Sequence, residues 1–147
     1  MINEGLNLYL TEASRQVEKY QKELDELRSD LALDSFRSRD YRATERLLQI
    51  FTELSIGLAK HWVKSFDGGT SNQAYQTFMT LKENGYITSD DLVTWRKIIG
   101  MRNGLVHDYL KIDLTVIDSI LINRDYKSLT DFCNKAILFL KKQVGKE

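Results

Sequence analysis

The first part of the chain places apolar residues at regularly spaced positions. The spacing alternates between four and three residues, which is the inward stripe of an amphipathic helix and not the two-residue alternation of a strand. Charged residues occupy most of the positions between them. The pattern predicts one long helix with a solvated outer face, packed in a bundle; a seam for self-association is the alternative interpretation. The stripe consists of Leu6, Leu10, Ala13, Val17, Tyr20, Leu24, Leu27 and Leu31.

Helical periodicity returns in every later segment, and no segment has the pattern of a strand. The residues between the helices are polar or glycine-rich, as in 34–40 and 66–72. Because the helices are joined by short connections, neighbours are expected to run antiparallel. The sequence therefore predicts an all-α fold, an antiparallel helical bundle. The further helices are expected over about 41–65 and 73–82, then after Thr88, after Asp113 and after Ser128.

Local capping residues support these boundaries. Thr88, Asp113 and Ser128 each stand before a helix, where a short polar side chain can accept a hydrogen bond from a free backbone N–H. Gly85 follows the short helix at a position that suits a left-handed C-terminal cap.

Composition narrows the class of protein. The 147 residues are expected to form one domain, 1–147. The single cysteine, Cys133, cannot form an internal disulfide, which fits a reducing cytoplasm. One cysteine and two histidines also argue against a structural zinc site. No signal peptide or membrane-spanning segment is expected. The formal net charge is zero, so a polyanion site must be a local concentration of charge.

One charged residue breaks the apolar pattern of the fourth helix. Arg102 falls on the stripe, three residues after Ile99 and three before Leu105. A guanidinium keeps its proton, so placing it against a core is costly unless an acceptor or anion meets it. A structural ion pair with Glu53 is one interpretation. A site for a phosphate-bearing ligand is the other.

His107 and Tyr109 follow Arg102 closely, and together they suggest acid–base chemistry on a phosphate. Histidine transfers protons near neutral pH, and arginine stabilises negative charge that grows on a phosphate. Such a pair suffices for metal-free RNA cleavage by the ribose 2′-hydroxyl. A structural helix cap is the alternative role for His107.

One straight helix cannot aim both groups at one point, because Arg102 and His107 would project roughly 140° apart. Either the helix ends or distorts near Gly104, or the two groups converge in a cleft at the helix end. A two-fold homodimer would bring two arginines and two histidines to such a cleft.

The start of the second helix is basic. Arg39, Arg42 and Arg46 share one face. They are candidates for contacts to RNA phosphates, with a solvated face partly paired to Glu45 as the alternative. His61, near the end of this helix, is interpreted as structural.

The end of the fourth helix resembles the R-x4-H-x-Y motif of the HepT family, with Arg102, His107 and Tyr109 at the motif positions and Asn103 after the arginine. The HepT family belongs to the HEPN group of helical ribonucleases. The resemblance extends through segments 42–53, 78–87 and 109–113 and covers about residues 38–142. The first helix fits by position and pattern. The resemblance implies a single HepT/HEPN-like domain.

The resemblance also implies a function. HepT proteins are homodimeric, metal-independent ribonuclease toxins of type VII-like toxin–antitoxin modules, with the arginine and histidine in a cleft between subunits. Their partner MntA is a minimal nucleotidyltransferase that uses ATP to transfer AMP onto the motif tyrosine. By resemblance, Arg102 would stabilise the phosphorane, His107 would be the general acid or base, Asn103 would orient the site, and Tyr109 would accept AMP. No cofactor is implied for the chain itself.

Two other interpretations remain at the level of the sequence. The chain could be a non-catalytic helical partner that presents a substrate to a nucleotidyltransferase. It could also be a dimeric scaffold in which Arg102 forms a buried ion pair.

Overall fold

The computed structural model describes residues 4–67, 73–107 and 113–145, and the side chains of these residues except 106 and 107. Within these ranges the chain forms six α-helices and no strand, which confirms the predicted all-α bundle. The helices are α1 (Glu4–Ala32), α2 (Ser38–Asp67), α3 (Ala74–Glu83), α4 (Ser89–His107), α5 (Leu114–Ile122) and α6 (Lys127–Gly145).

The two long helices and α6 form the centre of the bundle. α6 packs along both α1 and α2, while α3 and α4 cover another side of α2. α1 and α2 run antiparallel, since Tyr9 lies against His61 and Tyr20 against Phe51. The predicted stripe of α1 is the buried one: Leu10, Ala13, Val17, Leu24 and Leu27 are all buried.

Aromatic rings fill the space between α2, α3, α4 and α6. Phe78 stacks on Trp95 at 4.1 Å between ring centroids, and Phe132 meets Trp95 edge-on at 4.9 Å. Trp62 stacks on Phe139 at 5.1 Å. Buried aromatic side chains dominate core energetics, and these contacts fix the first half of α4 in the bundle.

Reciprocal capping fixes the start of α4. The amide of Asp91 donates to the Thr88 hydroxyl (3.0 Å), and the amide of Thr88 donates to the Asp91 carboxylate (2.9 Å). Asp113 caps α5 by accepting from the Thr115 amide at 2.9 Å. Gly85 adopts φ +79° after α3, a conformation that suits glycine. These three expectations are confirmed.

Two predicted boundaries were wrong. α2 begins at Ser38 and not near 41, because the Asp40 carboxylate accepts from the Arg37 amide (2.8 Å) and starts the helix earlier. α6 begins at Lys127, so Ser128 lies inside its first turn and is not the cap. Arg124, at φ 55°, forms the tight turn that precedes this start.

Gly104 does not interrupt α4, which continues as a helix to His107. Of the two alternatives for the motif, a helix that ends or distorts near Gly104 is not observed, and convergence in a cleft at the helix end stays a prediction. A glycine inside a helix is unfavourable by about 1 kcal/mol relative to alanine, which is too little to stop a helix continued by its neighbours. Positions 102 and 107 therefore lie on different faces of one continuous helix.

Among the described residues, no helix has the length and apolar character needed to cross a membrane.

Candidate active site

Arg102 lies at the inner edge of α4, over the middle of α2. Leu92, Trp95 and Ile99 are buried on the same face of α4, and Arg102 follows them by one further turn. Its side chain is only 22% exposed. The sequence pattern therefore located this residue correctly: it continues the apolar face and carries a charge into a partly desolvated position.

Glu53 of α2 is the acidic residue beside Arg102. The two side chains approach to 3.4 Å between Arg102 Nε and Glu53 Oε1. This contact does not satisfy the criteria for a hydrogen bond. The buried Nε atom has no hydrogen-bond partner among the described residues. The contact is thus a charge contact that leaves donor capacity on the guanidinium. Glu53 is 49% exposed, so solvent weakens the pair further.

The other motif residues lie partly outside the described chain. Asn103 is exposed on α4. His107 is the last residue of α4, and its side chain is among those not described. Tyr109 lies outside the described residues. The structure therefore shows on which face of α4 Arg102 and Asn103 lie. It also shows that His107 belongs to the helix.

The three candidate phosphate contacts on α2 are exposed. Arg39 and Arg42 are exposed, and Arg46 donates to Gln49 at 3.3 Å. Within the parts of the chain that the structure describes, none of the three forms an ion pair with Glu45. No described carboxylate neutralises these three guanidinium groups, so their positive charge is available to an external anion.

His61 was interpreted as structural, but it lies at the wall of a cavity and not within the packed core. Its ring lies 4.7 Å from that of Tyr9, and it lines a cavity at the end of α2. Burial, and secondarily Lys64, lowers the pKa of His61 below 6.5, so the ring is mostly neutral at neutral pH. The sequence analysis did not single out Tyr9, which stands beside the stripe of α1 and not on it.

A second polar cluster joins α1 to the turn before α6, and the sequence analysis missed it. Tyr126 is buried and its hydroxyl donates to Asp25, while Arg124 Nη2 lies 3.2 Å from the same carboxylate. Burial and the hydrogen bond to Asp25 raise the pKa of Tyr126 to about 12. This cluster ties α1 to the turn before α6, and Tyr126 also lines a pocket with Lys97 and Met101 of α4.

Metal ligands do not group in the described ranges: no three His, Cys, Asp or Glu side chains there are arranged to hold a metal ion. Metal independence stays a prediction.

Comparison with known proteins decides the family. The model of the family described as "HepT-like: Ribonuclease HepT-like" matches residues 13–136. The chain belongs to the HepT-like family. The match begins inside α1 and ends inside α6, so it includes α4 and both long helices.

One curated relative of this HepT-like chain is a protein of Aphanizomenon flos-aquae (strain 2012/KM1/D3) named "tRNA nuclease HepT". The two are 30% identical over 92 residues. The alignment spans 63% of this chain and 61% of the relative.

Solved structures share the fold of the HepT-like chain. A toxin–antitoxin crystal structure with AMP-PNP contains a chain of TM-score 0.76 at 18% identity, with 86% of this chain and 96% of that chain covered. A tri-AMPylated HEPN toxin of Shewanella oneidensis in complex with its MNT antitoxin has a TM-score of 0.75 at 19% identity, covering 86% and 94%. The bundle is therefore a HEPN-type fold.

Proposed function

We propose that this HepT-like protein is the toxin of a type VII-like toxin–antitoxin module and acts as a metal-independent RNA endonuclease. The observation that carries the proposal is the setting of Arg102: a largely buried guanidinium with an unpartnered Nε, on the helix that ends at His107. A buried cation with unused donors is suited to an anionic ligand. The family match and the name of the curated relative support RNA as that ligand.

In the proposed reaction a base removes the proton of a ribose 2′-hydroxyl, and the 2′-oxygen attacks the adjacent phosphorus. The bond from phosphorus to the 5′-oxygen breaks, and an acid protonates that oxygen. The products are a 2′,3′-cyclic phosphate and a 5′-hydroxyl. Arg102 stabilises the charge of the phosphorane, and His107 serves as the general acid or base. Asn103, exposed beside Arg102, helps to orient the site.

A two-fold homodimer completes the site. Because α4 is continuous through Gly104, positions 102 and 107 lie roughly 140° apart around an ideal helix, on different faces of α4. A second copy supplies the missing group from the opposite side of a shared cleft. Sedimentation should give a dimer, and a fully active monomer would contradict this arrangement.

The partner in the proposed module is a minimal nucleotidyltransferase of the MntA type. The hydroxyl oxygen of Tyr109 attacks the α-phosphate of ATP, pyrophosphate leaves, and the tyrosine proton is lost. The added AMP places a phosphate and a base where RNA would bind. Toxin–antitoxin structures with the same fold, one with an AMPylated toxin, support this regulation.

The decisive experiment is RNA cleavage in EDTA by protein whose intact mass shows no AMP. tRNA is the first substrate to test, with mRNA beside it. We expect cleavage by the wild type and none by His107→Ala, with RNA binding and the helical circular dichroism spectrum retained. Arg102→Ala should also be inactive. Arg96→Ala is its matched control, since Arg96 is exposed on the same helix and lies over the ring of Tyr75.

Two other outcomes would favour a different function for the chain. No cleavage of either RNA by verified unmodified protein would favour a non-catalytic partner of the nucleotidyltransferase. If Arg102→Ala alters only stability and no RNA phenotype follows, the chain is a scaffold.

A further inference from the structure

The outward face of α2 carries a row of basic residues that extends beyond the three arginines at its start. At about 100° per residue, five basic residues and Glu53 fall within one sector of roughly 60°. The row spans about 37 Å of helix at 1.5 Å per residue. We call it the basic row; its members are Arg39, Arg42, Arg46, Lys60 and Lys64.

Glu53 is the only acidic residue of that sector between Arg39 and Lys64. It is also the residue that contacts Arg102. The cation of α4 therefore offsets the one negative charge that would interrupt the basic row, and the row passes directly beside the candidate active site. On the α1 side, Glu12 is engaged by Arg15 and Gln16, and Glu23 lies near Tyr20.

A cavity of about 590 Å³ lies at the far end of the basic row, where α1, α2 and α6 meet. Lys64 belongs to both features, since it is exposed on α2 and also lines the cavity. Leu140 and Val144 form an apolar part of the wall, and Gln143 adds an amide. The cavity is large enough for a small aromatic ligand.

Two aromatic rings stand at the cavity wall with unused polar atoms. The Tyr9 and His61 rings lie 4.7 Å apart at an angle of 46°. In the described part of the chain, neither ring's polar atoms nor the Gln143 amide has a hydrogen-bond partner. These groups could meet the edge of a base.

Gly57 makes room for the Tyr9 ring. A Cβ atom there would lie 3.0 Å from the Tyr9 hydroxyl oxygen, which is closer than ordinary contact. Glycine is unfavourable inside a helix, so a side chain resting on it points to a requirement for that ring position.

A row of cations with aromatic rings is how proteins bind single-stranded nucleic acid: cations follow the phosphates and bases stack on rings. We propose that single-stranded RNA follows the basic row past Arg102 and that the Tyr9–His61 cavity takes one unpaired nucleobase, with Lys64 on its phosphate. This proposal rests on the proposed ribonuclease function. Glu53 and His61 are separated by eight residues, which is about 12 Å along the axis of α2. This distance corresponds to about three to four nucleotides of a stacked strand, so the proposed base site lies near the scissile bond.

The test measures binding of labelled single-stranded RNA to protein in the inactive His107→Ala background. Two probes of equal length and charge are used, one intact and one with abasic sites. Tyr9→Leu keeps apolar volume but removes the ring; we expect binding of the intact probe to weaken about five-fold or more and binding of the abasic probe to stay unchanged. Tyr9→Phe keeps the ring and should therefore weaken binding of the intact probe much less than Tyr9→Leu does. Tyr75→Leu is the control for loss of a half-buried tyrosine elsewhere.

Lys64→Gln tests the phosphate contact and does not depend on the core, since Lys64 is exposed. It should weaken both probes alike and lower the salt dependence of binding by about 0.7, the value for one phosphate contact on a single strand. Lys127→Gln, at the opposite end of α6, should change neither quantity.

Cleavage kinetics separate this proposal from the proposed function. If the wild type cleaves RNA and Tyr9→Leu raises KM with little change in kcat, the cavity is part of the RNA path. If the wild type cleaves but neither Tyr9→Leu nor Lys64→Gln affects binding or KM, only the present proposal is overturned. If these variants weaken only docking of the nucleotidyltransferase, the face is a protein interface and the proposal is wrong. If the wild type neither binds nor cleaves RNA, both proposals fail.

Discussion

Arg102 Nε lies 3.4 Å from Glu53 Oε1, yet it donates no hydrogen bond to any residue that the structure describes. Glu53 thus restrains the guanidinium from one side without saturating it. Under the proposed function, a carboxylate in this position has two opposing effects on a bound RNA. It helps to position the arginine, and it repels the phosphate.

Glu53→Gln separates these effects. The substitution keeps the shape and removes the charge, so we expect a lower KM from reduced repulsion and a lower kcat from a less restrained Arg102. Stability should change by no more than about 1 kcal/mol, since the pair is half exposed.

Glu45→Gln is the matched control for Glu53→Gln. It removes one negative charge from the same helix without touching Arg102, so kcat should stay at the wild-type value. Equal kcat values for the two variants would show that Glu53 does not position the arginine.

Thr88→Ala tests the capping pair that begins α4. Loss of the hydroxyl removes the acceptor for the Asp91 amide and should destabilise the protein by about 1 kcal/mol. Thermal unfolding should show a decrease in Tm of about 2–4 °C. Ser89→Ala, one residue later and exposed, is expected to have little effect; a similar decrease there would argue against a specific cap.

Tyr126→Phe tests the cluster with Asp25. The ring stays buried, but the hydrogen bond to a carboxylate is lost, and we expect the free energy of unfolding to fall by about 1–2 kcal/mol. Denaturant titration measures this directly. Tyr86→Phe removes a hydroxyl that has no partner among the described residues, and its effect should stay within about 0.5 kcal/mol.

Cys133 should be unreactive in the native protein. It is fully buried beside the Ser55 hydroxyl at 3.1 Å, and burial raises the pKa of its thiol to about 12. Because the thiolate is the nucleophile, a disulfide reagent at pH 8 should react negligibly with folded protein and stoichiometrically in guanidinium chloride. Rapid reaction of the folded protein would show that the space between α2 and α6 opens readily.

The sequence predicts those parts of the fold that depend on local periodicity and capping. The buried stripe of α1 and the caps at Thr88 and Asp113 follow from residues close together in the chain. Arg102 could be singled out because a charge on an apolar stripe is visible without coordinates.

Contacts between distant segments could not be predicted in this way. Asp25 and Tyr126 are 101 positions apart, and local periodicity does not indicate that the turn at Arg124 brings them together. The cavity at Tyr9 and His61 depends on the register of three helices, which no single pattern encodes. Helix propensity alone did not decide between a break at Gly104 and a continuous α4, because one glycine weakens a helix by only about 1 kcal/mol.

The attachment of α4 is uneven along its length. Trp95 is locked between Phe78 and Phe132, and the helix backbone approaches only α2 and α3 among the described helices. Its second half is held by Ile99, by the partly buried Ile98, Met101 and Leu105, and by the weak contact to Glu53. Local opening of such a segment needs less free energy than global unfolding. Mild denaturant should therefore abolish the proposed catalysis while α1, α2 and α6 stay folded, because fraying of one helix end is enough to displace Arg102.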